Sequence, residues 1–312
     1  MTAPIRLAAF AALLALVFGG AALAGAAIDP TGETPTGTHG SAEQSEHGGR
    51  TPAMAAGDVH GADRAGAATA ASGLAVSDGG YDLVTDRTFL AARTTEPFTF
   101  HITDDGGRVV RDAFELEHDK RLHLIVVRRD TALFTHVHPR QDEDGTWSVD
   151  LNLREPGVYR AFADFKIDGE RRTLATDLFV PGEFRPNRLP PPVPVARAVD
   201  DAGTPAGDLD VTRTPAEIRA GRETRLTFAV TRDGRAFDAL EPYLGAKGHL
   251  VALREGDLAY LHVHPADSPG TRGGHEVAFM ATFPTAGRYR LFLQFQTGGE
   301  VRTVAYTVEV SR

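Results

Sequence analysis

The chain has 312 residues, a formal net charge of −9, 42 acidic against 33 basic residues, and no cysteine. That length suffices for two ordinary domains, and an acidic chain without a Lys/Arg-rich stripe is a poor partner for nucleic acid. The lack of cysteine excludes disulfides, thiolate zinc sites, a catalytic thiol and a lipid-modified Cys together.

Residues 1–28 indicate the compartment. Arg6 precedes an uncharged apolar run from Leu7 to Ile28, with Ala22-Leu23-Ala24 as a small-residue cleavage candidate. The run is also as long as the roughly 20 residues needed to cross a bilayer. The expectation is export, as a cleaved signal peptide or as a membrane anchor that is retained. Residues 29–80 are rich in Gly, Ala, Thr and Ser and have no hydrophobic period, which predicts a disordered tether. The scattered His39, His47 and His60 lie in it.

From Tyr81 to Val180 short alternating runs rich in Val, Phe, Leu and Thr are separated by turn sequences such as Asp104-Asp105-Gly106-Gly107, Asp144-Gly145 and Asp168-Gly169. That pattern predicts an antiparallel β-sandwich. Trp147, which follows the Asp-Gly turn, is expected to pack in the core or against the hairpin. Residues 181–206 are dense in proline, which favours an extended, semi-rigid spacer and leaves the two flanking domains free of any need to pack tightly.

Residues 207–312 then repeat the first domain. Phe98–Gly106 matches Leu226–Gly234, and Pro156-Gly-Val-Tyr159 matches Ala286-Gly-Arg-Tyr289. A repeat of about 100 residues is the size of a whole sandwich, so the fold expected is all-β, two tandem Ig-like sandwiches. Tyr159 and Tyr289, near strand starts, are expected to hydrogen-bond neighbouring loops.

The repeated segment that carries chemistry holds six histidines. His123 precedes His136-Val-His138-Pro139 by the interval at which His249 precedes His262-Val-His264-Pro265. In a strand, residues two apart share a face, so each His-x-His pair can converge on one ion, with Val137 turned to the core. A turn near Asp130 should bring His123 beside its pair. Three imidazoles suit copper or zinc, with a position left for water or an acid. The expectation is therefore two metal sites, His123/His136/His138 and His249/His262/His264, copper first and zinc second. Asp164 is a candidate for orienting the first set; its counterpart is Gln294. The competing reading makes these histidines structural, hydrogen-bonded residues kept by a duplicated fold. His118, His101 and His275 lack matches in the other half and are expected outside a shared site, with an extra ligand near His123 as the alternative for His118. A type 1 copper site and Met-rich cuprous capture lack their sulfur ligands, and no nucleophile, Walker or dinucleotide motif occurs.

Tyr243-Leu-Gly-Ala-Lys-Gly-His-Leu-Val-Ala-Leu-Arg254, Tyr260-Leu-His-Val-His-Pro265 and Tyr289-Arg-Leu-Phe-Leu-Gln-Phe295 resemble a group of exported bacterial proteins common in actinobacteria. Those proteins carry tandem Ig-like or cupredoxin-like modules and are loosely similar to periplasmic copper-handling and YtkA-like domains. The resemblance covers residues 81–312 and implies an exported or membrane-associated β protein. The function expected is extracytoplasmic metal binding for sequestration or delivery, without turnover. The alternative is a cell-envelope structural or interaction module with a protein partner.

Overall fold

Alternating side chains make the strands, and turn glycines join them. The computed structural model describes residues 72–200, 203–266 and 274–312, which fall within one unit, Asp63–Arg312. The N-terminal apolar segment, most of the tether and the centre of the loop after His264 lie outside the described residues. Among the described residues there are strands and no α-helix.

The first sandwich holds β1 (Ser77–Asp78), β2 (Tyr81–Thr85), β3 (Thr95–Asp104), β4 (Leu122–Arg128), β5 (Phe134–Val137), β6 (Arg140–Gln141), β7 (Trp147–Asn152), β8 (Gly157–Ile167) and β9 (Glu170–Val180). One sheet runs β1-β2-β3-β7-β6 and the other β5-β4-β8-β9. The second sandwich holds β10 (Val195–Val199), β11 (Pro205–Thr214), β12 (Ile218–Arg219), β13 (Glu223–Arg232), β14 (Arg235–Ala236), β15 (His249–Arg254), β16 (Tyr260–Leu261), β17 (His264–Pro265), β18 (Glu276–Thr282), β19 (Gly287–Thr297) and β20 (Glu300–Ser311). Its order β16-β15-β19-β20 repeats the second sheet of the first domain, and β10 links it to β11-β13-β18-β17.

Each core follows the period of two. Phe98, Phe100 and Ile102 on β3, with Tyr159, Ala161 and Ala163 on β8, bury into the first core around Trp147. Leu226, Phe228 and Val230 on β13 do the same in the second. Burial of each such large side chain contributes about 1.5–3 kcal/mol. Tyr159 Oη donates to the Glu155 carbonyl at 2.7 Å and Tyr289 Oη to the Thr285 carbonyl at 3.0 Å. Both tyrosines therefore lock the loop before their own strand, as expected of a tyrosine corner.

The proline-rich spacer leaves the relative placement of the sandwiches open, and the structure packs them against each other. Every residue of β4 is buried. Leu122, Leu124 and Val126 face the first core. Ile125 and Val127 face a third apolar cluster with Phe162, Val251, Leu253, Tyr260 and Phe292. The continuous apolar run Leu-His-Leu-Ile-Val-Val thus marks a strand covered on both faces, and its second cover is the other domain. Phe134 stacks on Phe292 at 4.2 Å, and Phe162 meets Tyr260 at 5.5 Å. The proline-rich spacer is also shorter than its composition predicts, because Val195–Val199 is already a strand of the second sandwich. At the other boundary, the end of the expected tether joins the fold. Gly73 N–H donates to the Thr173 carbonyl at 3.0 Å, and Tyr260 N–H to the Ser72 carbonyl at 2.9 Å, so this segment touches both sandwiches. Gly73 has φ +67°, and a Cβ there would sit 2.7 Å from the Phe162 ring, so only glycine fits.

Candidate metal centre

Strand register aligns the polar residues in the seam. His123 on β4 pairs with Asp164 on β8, and Asp164 with Thr173 on β9. In the second sandwich His249 pairs with Gln294, and Gln294 with Thr303. Paired residues share a face in an antiparallel sheet, so both rows point into the seam. On β5, Val137 pairs with core-facing Leu124 and His136 with seam-facing Ile125. His136 and His138 therefore lie on one face with Val137 turned to the core, as period two requires.

The two sheets bring histidines of both domains together. The rings of His123 and His249 stack at 5.2 Å with 8° between planes, and His136 lies 4.6 Å from His249. His123, His136 and His249 each offer a ring nitrogen, all within 4.8 Å of one another. His123 Nδ1 is 3.0 Å from His136 Nε2 and 3.2 Å from His138 Nε2. The opposite nitrogens are already engaged. His123 Nε2 is 3.1 Å from the Glu117 carbonyl, which can only accept, so that nitrogen carries the proton. His136 Nδ1 is 2.7 Å from Gln294 Oε1, and Gln294 Nε2 donates to Thr303 Oγ1 at 3.2 Å. His123 Nδ1 and His136 Nε2 thus face each other as two lone pairs. His249 Nδ1 is buried without a hydrogen-bond partner.

Burial holds these rings neutral. His123 is 3% exposed and His249 8%. Desolvation first, then repulsion from neighbouring histidines, lowers His123, His136 and His138 to a pKa of about 3. The same causes push His249 well below its ordinary value. Neutral imidazoles with outward N–H groups fixed by acceptors are the form in which histidine ligates a metal.

The six histidines are therefore not divided three to each domain. Because the sheets stack face to face, His249 joins His123 and His136 rather than His262 and His264. His262 Nε2 points across the seam, 3.4 Å from Asp164 Oδ1, and His264 Nδ1 is 2.9 Å from the Arg171 guanidinium. Asp164, expected to orient the first set, instead accepts from Thr173 Oγ1 at 2.9 Å and serves the other domain's histidine. Burial raises its pKa. His118, for which a place near His123 is the alternative expected, packs edge-on against both His123 at 6.0 Å and His249 at 5.7 Å. His101 bonds Thr146 and His275 faces Asp238, away from the cluster. The sequence reading passed over Gln294 and the Glu117 carbonyl as orienting groups. The repeat offered one clue, since Gln294 occupies the place of Asp164. A cleft of about 540 Å³ between the sandwiches reaches His136 and Gln294 past Phe134, Phe292 and Asn152.

Residues 75–182 and 204–312 each match the family model described as Domain of unknown function (DUF8832). No curated protein is similar in sequence to the chain. Among solved structures the chain is similar to the Escherichia coli adhesin FdeC at 12% identity, covering 76% of this chain and 66% of that one, with a TM-score of 0.24. The Yersinia pseudotuberculosis adhesin InvE matches at 14% identity, 73% and 58% coverage and a TM-score of 0.22. Invasin, described as a bacterial integrin-binding protein, matches at 14% identity, 73% and 39% coverage and a TM-score of 0.20. The chain thus spans less than two thirds of the length of these three relatives. At such scores no role passes from those proteins to this chain. The duplication expected from the sequence is shown by the two matches to one family model; the copper-handling side of the resemblance has no support among these comparisons.

Proposed function

We propose that the chain, which belongs to the DUF8832 family in both of its domains, binds one transition-metal ion in the seam between its sandwiches. One observation carries this reading. Two imidazole lone pairs, His123 Nδ1 and His136 Nε2, oppose each other at 3.0 Å while their other nitrogens are held by Glu117 and Gln294. Buried lone pairs at that distance repel unless a proton or a cation lies between them, and burial disfavours the proton. A cation bound by His123, His136 and His249, with His138 beside them, relieves the repulsion and gives His249 Nδ1 a partner. Imidazole nitrogens favour copper, then zinc. The exported character of residues 1–28 supports an extracytoplasmic site, secreted or membrane-anchored, that sequesters or delivers its ion.

The test is calorimetric titration of the full chain with Cu(II) and Zn(II). One site per chain is expected, lost in His136→Ala and kept in His262→Ala. No binding of Cu(II), Zn(II) or cuprous ion by the parent would sink the reading. That result would favour the second one, a cell-envelope interaction module in which the stacked pair His123/His249 only packs the seam.

A further inference from the structure

We propose that the seam is built for a univalent ion, so that the copper it holds is cuprous. This rests on the metal reading above and concerns the charge that the site tolerates.

The donor set is uncharged. Among the described residues the group able to hold an ion consists of His123, His136 and His249 alone, with no carboxylate. Behind a ligating histidine a carboxylate is a frequent partner. Here His136 has the neutral amide of Gln294 and His123 has a backbone carbonyl. Asp164, opposite His123 by register, is turned to His262 and Thr173. Beside the donor set, Ile125, paired with His136, is fully buried and Phe292 is 2% exposed.

Charge then decides between oxidation states of the same metal. The cost of moving an ion out of water rises with the square of its charge, about fourfold from univalent to divalent. A divalent ion on three imidazoles commonly recovers part of that cost by binding water as hydroxide in an open position. His138 Nε2, 3.2 Å from His123 Nδ1, adds a further uncharged nitrogen to the same place. Cuprous ion keeps the nitrogen donors and carries half the charge. Zinc has no univalent form to offer. The selection works without sulfur, which the seam lacks: the chain has no Cys and only three Met.

The experiment uses the purified full chain without oxygen. Cuprous ion, made from a cupric salt and ascorbate, is titrated in competition with the chromophoric chelator bicinchoninate. Cu(II) and Zn(II) are titrated separately by calorimetry without reductant. The expected result is one cuprous ion per chain, bound at least about tenfold more tightly than Cu(II), the scale of a single outer-shell change. Gln294→Glu, which places a carboxylate behind His136, should narrow that ratio by about tenfold or more. Tighter binding of Cu(II) or Zn(II) than of cuprous ion by the parent protein overturns the proposal and leaves metal binding intact. Absence of every metal overturns the underlying reading instead. The parent's preference decides the question whether or not the variant folds.

Discussion

At one end of the seam His136 of the first sandwich meets Gln294 of the second; at the other, His262 of the second meets Asp164 of the first. The sheet order and the threonine behind each partner are the same. The partner differs, an amide against a carboxylate, and so does the histidine: His136 lies within β5 and turns Nδ1 to its partner, whereas His262 follows the end of β16 and turns Nε2. Gln294 donates to Thr303 Oγ1, whereas Asp164 accepts from Thr173 Oγ1, so the same hydroxyl serves in opposite roles. The amide fixes the His136 proton outward and leaves a lone pair aimed at His123. The carboxylate draws His262 Nε2 to itself and away from the cluster. Between the copies the residue at this place thus changes which histidine is held and what faces it, an amide at one end and a carboxylate at the other.

That contrast can be broken by mutation in several ways. The largest effects should come from the aromatic contacts flanking the two ends. Phe292→Ala and Phe162→Ala, each removing a ring no more than 2% exposed, should cost about 3–5 kcal/mol in chemical denaturation. Next, His136→Ala and His249→Ala should each weaken metal binding by more than about a hundredfold, above the cost of an outer-shell change. His262→Ala should leave the affinity within about threefold, since Asp164 rather than the ion holds that ring. Equal losses at both ends would show that the ends are equivalent after all. Gln294→Ala should cost about tenfold, through loss of the group that orients His136.

Acid supplies a milder probe. The folded-state pKa of His136 is lowered from 6.5 to about 3, so the unfolded chain binds its proton first. The stability tied to that neutral ring is complete above pH 6.5 and is lost as pH falls toward 3. Asp164 has the opposite sign. Its raised pKa means that the folded state binds the proton more readily, so its contribution is largest at low pH and is lost as pH rises through the folded value. Thermal melts of metal-free protein should therefore drop between pH 6.5 and about 3, and His136→Ala should flatten that slope.

Much of this could be read from the chain. The period of two gave the strands, placed Val137 in the core and set His136 and His138 on one face. The duplicated Gly-x-Tyr segments gave both tyrosine corners. What covers the second face of a strand is a different matter. The mostly apolar β4 demanded burial on both sides, yet a run such as Ile-Val-Val does not say which surface lies against it. The histidines were therefore grouped by domain, although the ring nearest His249 belongs to the other one. Gln294 is legible only as the counterpart of Asp164, because an amide's role depends on which atom it presents, and that depends on Thr303.

The near-symmetry of the seam has a consequence for how it is held. Phe134 on Phe292 answers Tyr260 on Phe162, and His123 lies on His249. In the language of assemblies this is an isologous contact made within one chain. Two separate molecules would need the contact itself to supply all the affinity. A short covalent connection instead gives the partner face an effective concentration of about millimolar order. The middle of such a face is then free to carry poorly matched, strongly polar rings that an independent dimer could not tolerate.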